Sequence, residues 1–115
     1  MRPRALVVDG SLTVRMDLRS ALANAGFLVM ACSTKAVAWA TLQNGGIKLV
    51  LLDIHLPDLT GFELATQLAA LDPRPIVILI SSRDATSYGS DLIGAPVRGF
   101  IAKWELNGET LGAMV

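Results

Sequence analysis

Four polar residues each stand at the end of an apolar run: Asp9 after Ala5–Val8, Asp53 after Ile47–Leu52, Ser81 after Ile76–Ile80 and Lys103 after Gly99–Ala102. Together these residue types suit phosphoryl chemistry. A carboxylate can attack phosphorus and form an acyl phosphate. Transfer then needs a hard cation over the phosphoryl oxygens, and Mg2+ takes carboxylates and waters as ligands. A lysine ammonium adds a point charge at one phosphoryl oxygen, and a hydroxyl donates a hydrogen bond to another. Singly, each residue has a bland explanation: Asp opens many loops, Ser81 can simply end a strand, and a lone Lys103 is a solvated cation. Their recurrence at four strand ends is what points to chemistry.

The runs themselves are short and alternate with helix-like segments. A further run, Phe27–Ala31, makes five. Three of them show no inside/outside alternation, as expected for strands covered by helices on both faces. Ser11 is a good N-cap, and Val14, Leu18, Ala21, Leu22 and Ala25 follow at helical spacing until Gly26 stops the helix. A second segment, Thr34–Gln43, has Ala38 and Leu42 four apart and ends at Asn44-Gly45-Gly46. A third, after Thr60, carries Leu64, Ala65, Leu68 and Leu71 on one face and is expected to stop at Asp72-Pro73. Asp84–Ala95, with two glycines and two serines, predicts a short or irregular helix. The last, from Asn107 onward, is a weak helix shortened by the end of the chain.

This βα alternation predicts an α/β fold with right-handed crossovers and a doubly wound, five-stranded parallel sheet. In the flavodoxin-like order 2-1-3-4-5, the topological switch point lies between strands one and three, outside their carboxyl ends. Asp9 and Asp53 would meet there.

Composition narrows the classes. At 115 residues the chain is expected to be one domain, residues 1–115. A hydrophobic share of 52% with 17% charged residues argues against disorder. Lys+Arg and Asp+Glu are both 10, with no basic stripe, so direct nucleic-acid binding is not expected. The apolar runs fall far short of the roughly 18 residues of a membrane span. Met1-Arg2-Pro3-Arg4 is basic, but the run behind it ends at Asp9, which excludes a signal peptide. The single cysteine, Cys32, lies just beyond an apolar run. It reads as a small structural residue in a reducing, cytoplasmic setting.

Four motifs, in order and spacing, carry a family resemblance: Val7-Val8-Asp9-Gly10-Ser11, Asp53-Ile54-His55-Leu56-Pro57 through Gly61, Ile80-Ser81-Ser82, and Gly99-Phe100-Ile101-Ala102-Lys103. Over essentially its whole length the chain resembles the receiver domain of two-component response regulators. The resemblance implies that Asp53 is the phosphoacceptor and that Ser81 and Lys103 contact the phosphoryl group. It implies a Mg2+ site formed by Asp9, Asp53 and the backbone carbonyl of His55. Phe100 takes the aromatic switch position, coupled to Ser81, and the responding surface is the fourth helix, fifth strand and fifth helix. The implied partners are a sensor histidine kinase or phosphotransfer protein, docking around Ser11, Leu12, Val14, Arg15 and the Trp104 loop, and a downstream target or output domain. Such a domain is a phosphorelay signalling module, not an enzyme, whether stand-alone or part of a longer regulator.

Two departures stand out. The family usually has a second acid after strand one, where this chain has Gly10. Losing even an indirect metal partner costs about 10–100-fold in affinity. The family also has proline where this chain has Trp104, so the Lys103–Trp104 peptide is expected to be trans, a non-proline cis bond costing about 2.5–4 kcal/mol. Trp104 reads equally as an aromatic partly buried on the last helix or as a docking residue. His55, the only histidine, is expected as an exposed neighbour of the site, and Arg83 as a group steering phosphodonors. Two rivals follow. Gly10 supports an interaction module that uses neither Mg2+ nor phosphorylation. A flavodoxin-like cofactor binder would need a phosphate-cradling loop after strand one, and Asp9-Gly10-Ser11-Leu12-Thr13 has one glycine and leads with an acid.

Overall fold

A computed structural model describes residues 2–114; Met1 of the basic leader and both outermost residues of the expected domain lie outside them. The strands are β1 (Arg4–Val8), β2 (Leu28–Cys32), β3 (Ile47–Asp53), β4 (Ile76–Ser81) and β5 (Gly99–Ala102). They form one parallel sheet in the order β2-β1-β3-β4-β5. Helices α1 (Leu12–Asn24), α2 (Lys35–Gln43), α3 (Gly61–Leu68), α4 (Ser90–Ile93) and α5 (Gly108–Met114) fill the crossovers. The fold is the one expected from the alternation of apolar runs.

The lack of alternation in the strands has a direct cause. In β1, Leu6 and Val8 face one core layer while Ala5 and Val7 face the other, and all four are buried. The first layer is completed by Ala38 and Leu42 of α2 and Leu64, Ala65 and Leu68 of α3. The second is completed by Leu18 and Leu22 of α1 and Leu111 of α5. Both faces of the central strands therefore need apolar side chains. Each buried Val, Leu or Ile contributes about 1.5–3 kcal/mol. β3, between β1 and β4, is the most enclosed, and its apolar run ends at Asp53.

The helix starts follow from their capping residues. Ser11, Thr34 and Thr60 each accept the backbone N–H three residues on, at 3.4, 3.4 and 3.2 Å. Several boundaries differ from the sequence reading: β1 begins one residue earlier, at Arg4, and β3 and β4 take in Asp53 and Ser81. α3 stops at Leu68, and Leu71 packs on the core from a turn, closed by its N–H donating to the Leu68 carbonyl. β2 starts one residue later than expected and takes in Cys32, which is buried and whose thiol pKa burial raises. Asp84–Ala95 is a 3-10 turn at Ala85–Ser87 followed by the four-residue α4, as short as its glycines and serines predict.

The β3–α3 loop folds back on itself. Gly61 N–H donates to the Ile54 carbonyl at 2.8 Å, and His55 bridges Thr60. A Cβ on residue 61 would lie 2.5 Å from the Asp53 carbonyl oxygen and 2.7 Å from Ile54 Cα. Backbone cannot yield as a side-chain tip can. Gly61→Ala is expected to cost about 1–3 kcal/mol, the usual range for overpacking, measured as a lower urea midpoint. An unchanged midpoint would mean that the loop relaxes freely.

Candidate functional site

Asp9, Asp53 and Ser81 share one local device. Asp9 Oδ1 accepts the Ser11 N–H at 2.8 Å, Asp53 Oδ1 accepts the His55 N–H at 3.1 Å, and Ser81 Oγ accepts the Arg83 N–H at 3.0 Å. Each side chain thus closes the first turn of its own loop by accepting the N–H two residues ahead. For the carboxylates this spends one oxygen locally and leaves Oδ2 to point across the sheet end.

Both Oδ2 atoms face the same cation. Lys103 Nζ lies 2.7 Å from Asp9 Oδ2 and 3.3 Å from Asp53 Oδ2. Lys103 reaches this point from a 3-10 turn, Lys103–Glu105, immediately after β5, and its side chain is 18% exposed. Asp9 is fully buried and Asp53 nearly so. Asp9 Oδ2 has the ammonium as counter-charge but accepts no well-directed hydrogen bond from the described residues. Two buried carboxylates share the one lysine, and the Arg15 guanidinium is bonded to the Asp9 backbone beside them. Burial pushes the Asp53 pKa above the ordinary 3.8, and the neighbouring Asp9 charge adds to this. The His55 N–H, the largest opposing influence, and Lys103 pull it down without cancelling the rise.

The sheet register sets the remaining neighbours. Asp53 pairs with Ile80 and Ser81 pairs with Ala102, so Ser81 stands one residue beyond Asp53's level on the adjacent strand, just before Lys103 of the next. Ser81 is fully buried. Phe100 is half-buried beside a cleft of about 330 Å³ that it lines with Asp84, Ala102 and Trp104. A larger cleft of about 410 Å³ involves Pro75–Val77 and Pro96–Arg98 at the opposite end of β4 and β5, away from these groups.

Other expected residues take less uniform positions. Leu12 is 62% exposed, Ser11 is exposed, and Val14 packs partly on the core. Arg15 turns inward and donates to the Asp9 carbonyl at 2.8 Å. Trp104 is 62% exposed and lines the cleft beside Phe100. Asp72–Pro73 is the one cis peptide among the described residues, so Lys103–Trp104 is trans as expected. His55 is an exposed neighbour of the site, hydrogen-bonded through Nε2 to the Tyr88 hydroxyl at 2.8 Å.

Two contributors had escaped the sequence reading. Asp58 accepts the N–H groups of Lys35 and Ala36 at 3.0 and 3.3 Å, tying the β3–α3 loop to the start of α2. These bonds, led by that from Lys35, lower its pKa. Tyr88 is hydrogen-bonded to Ser81 Oγ and rests against His55, Phe62 and Phe100. Its only signal in the sequence was that it is the sole tyrosine, in a segment with no clear periodicity.

The model of the response regulator receiver domain matches residues 5–115. The chain belongs to the response regulator receiver family. Among curated relatives, the receiver domain is 36% identical over 78 residues to a protein-glutamate methylesterase/protein-glutamine glutaminase of Anaeromyxobacter dehalogenans. That match covers 68% of this chain but only 22% of the relative. It is 29% identical over 104 residues to the chemotaxis protein CheY of Bacillus subtilis, covering 90% of this chain and 87% of CheY. Among solved structures, the receiver domain superposes on the response regulator TrrA of Thermotoga maritima, in complex with Mg2+-BeF, with a TM-score of 0.84. The identity is 25% and both chains are fully covered. No helix among the described residues is long and apolar enough to cross a membrane.

The raised Asp53 pKa carries a sign for stability. In the folded receiver domain Asp53 holds its proton more tightly than in the unfolded chain. Its contribution is therefore fully present below 3.8 and is lost as pH rises through the raised folded value. Asp53→Asn keeps the shape without the charge. It is expected to be more stable than the native chain at neutral pH, with the difference shrinking as pH falls toward 3.8. Paired urea titrations on both sides of that window test this. An Asn variant less stable at neutral pH would show that the Lys103 contact outweighs the cost of burial.

Proposed function

We propose that residues 1–115 form a single receiver domain that accepts a phosphoryl group on Asp53 from a phosphohistidine of a sensor kinase or phosphotransfer protein. The observation that carries this reading is the Lys103 ammonium set between Oδ2 of Asp9 and Oδ2 of Asp53 at the carboxyl end of the sheet. A carboxylate oxygen of Asp53 attacks phosphorus, forming the acyl P–O bond while the P–N bond to the donor imidazole breaks. The electron pair leaves with the imidazole nitrogen. Lys103, already 3.3 Å from Asp53 Oδ2, supports charge on the transferred oxygens. Ser81 then donates its hydroxyl proton to another of them. The domain is a signalling module in the cytoplasm, not an enzyme in its own right.

The donor set fits a divalent cation of modest affinity. The buried, incompletely satisfied Asp9 Oδ2, the Asp53 carboxylate and the His55 carbonyl are hard oxygen ligands of the type Mg2+ takes. Among the described residues no three His, Cys, Asp or Glu side chains cluster as a metal site, in keeping with Gly10 standing where a second acid is usual. Mg2+, when bound, would neutralise phosphoryl oxygens during transfer. Gly10 favours a weakened metal site rather than the non-phosphorylated rival, because Asp53, Lys103 and Ser81 are all retained in register.

The consequence of phosphorylation is a population shift. Added charge at Asp53 draws the Ser81 hydroxyl and the loop behind β4. Phe100 responds, and the surface of α4, β5 and α5 changes for a downstream protein or output domain. The kinase or phosphotransfer partner docks on Ser11, Leu12, Val14 and Arg15 and the Trp104 loop, where Leu12 and Trp104 give the exposed apolar contacts.

Incubation with a small acyl phosphate and Mg2+ is expected to add one phosphoryl mass to the native chain and none to Asp53→Asn, read by intact mass spectrometry. Labelling that persists in the Asn variant would place the acceptor elsewhere. For the metal, a Cβ at Gly10 would meet nothing within 4 Å, so the backbone there has room for the first side-chain atom of Gly10→Asp. It is expected to tighten Mg2+ binding by about 10–100-fold in a tryptophan-fluorescence titration. Equal affinities would mean that Asp9 and Asp53 already complete the site.

A further inference from the structure

Ser81 has one hydroxyl proton and two lone-pair sites. One lone pair accepts the Arg83 N–H at 3.0 Å, and the remaining contact is with the Tyr88 hydroxyl. Ser81 is fully buried, so water does not offer a ready substitute. The same Tyr88 hydroxyl is held at 2.8 Å by His55 Nε2, two residues beyond Asp53. One phenol therefore joins the loop after β3 to the hydroxyl at the end of β4.

The Tyr88 ring is fixed on three sides. It meets Phe62 edge-on at 5.7 Å between centroids, Phe100 at 6.0 Å and His55 at 5.8 Å. Phe62 belongs to α3 and Phe100 to β5, so the ring also bridges the elements on both sides of β4. Phe100 carries no hydroxyl, and Tyr88 is the only tyrosine of the chain. The phenol is thus the one hydroxyl-bearing ring in this cluster.

We propose that Tyr88 is a positioning residue that latches the Ser81 hydroxyl in the unphosphorylated state and sets how readily Asp53 is phosphorylated. The inference rests on the reading of Asp53 as phosphoacceptor and adds a competitor to it. In this latch Tyr88 donates to His55 Nε2 and Ser81 donates to the Tyr88 oxygen, so Ser81 can hydrogen-bond a phosphoryl oxygen only by breaking its bond to Tyr88. Phosphorylation and the Tyr88–Ser81 contact therefore oppose one another. Breaking the contact frees the phenol, and the ring that packs on Phe100 then loses its anchor at Ser81. The link from Ser81 to Phe100 runs through Tyr88, whose hydroxyl bonds one and whose ring packs on the other.

The test uses Tyr88→Phe, which removes the hydroxyl and keeps the ring on Phe62 and Phe100. Phosphorylation of Asp53 by acetyl phosphate with Mg2+ is followed by intact mass, below donor saturation, in the native chain, Tyr88→Phe, Ser81→Ala and the double variant. Thermal midpoints verify that each is folded. Loss of one neutral hydrogen bond from the latched state corresponds to a gain of roughly two- to tenfold in the rate for Tyr88→Phe. That gain is expected to vanish when Ser81 is already alanine. A purely structural role for Tyr88 would not show this dependence on Ser81. Equal or slower labelling of Tyr88→Phe would overturn the latch, as would a gain of the same size in the Ser81→Ala background. A native chain that takes no phosphoryl group would overturn the phosphoacceptor reading itself, and the latch with it.

Discussion

One lysine holds the end of this sheet together electrostatically. Asp9 and Asp53 are both buried at the ends of neighbouring strands, and the Asp9 charge adds to the cost of ionising Asp53. Charges removed from water need a partner with good geometry, and removing one partner of a buried pair typically costs about 3–5 kcal/mol. Lys103 supplies that partner for both carboxylates at once, from a strand two places away from β3. Its position depends on β5 ending one residue earlier and on the 3-10 turn that follows. Lys103 also opposes the rise that burial imposes on the Asp53 pKa.

The carboxylates can face Lys103 because their other oxygens are already occupied. The turn closures at Ser11 and His55 orient each carboxyl group, and the same closure at Arg83 orients the Ser81 hydroxyl. Behind them the two apolar layers hold the strands in register, so the rigid part of the molecule ends where the polar part begins. Gly61 lets the β3–α3 loop return tightly onto Asp53 and Ile54. Asp58, in that same loop, fixes the start of α2. Asp58 thus links this loop to the α2 side, whereas His55 and Tyr88 link it to the end of β4 and to β5.

The acid missing at Gly10 changes the charge balance more than the architecture. With two carboxylates and one ammonium, the pocket is less negative than one with a further acid would be. A Cβ at Gly10 would meet nothing within 4 Å. Under the proposed function, phosphoacceptor geometry and cation affinity are separable, since strand register sets the first and the local count of oxygen ligands the second.

Much of this was legible in the amino-acid sequence. Apolar runs without alternation specify doubly covered parallel strands, and their ends locate Asp9, Asp53, Ser81 and Lys103 to within a residue. Caps at Ser11, Thr34 and Thr60 place the helix starts because capping is a short-range interaction. The end of α3 was less legible, since Leu71 keeps the apolar period while a turn carries it to the core. Tertiary structure alone decided which oxygen of each carboxylate faces Lys103, that Arg15 turns inward, that Trp104 stays exposed and that Asp58 caps α2. It also decided that Tyr88 meets both His55 and Ser81. These contacts join residues far apart in the chain, and no periodicity or local preference links such positions. They exist only because strand order and register bring separate loops to the same end of one sheet.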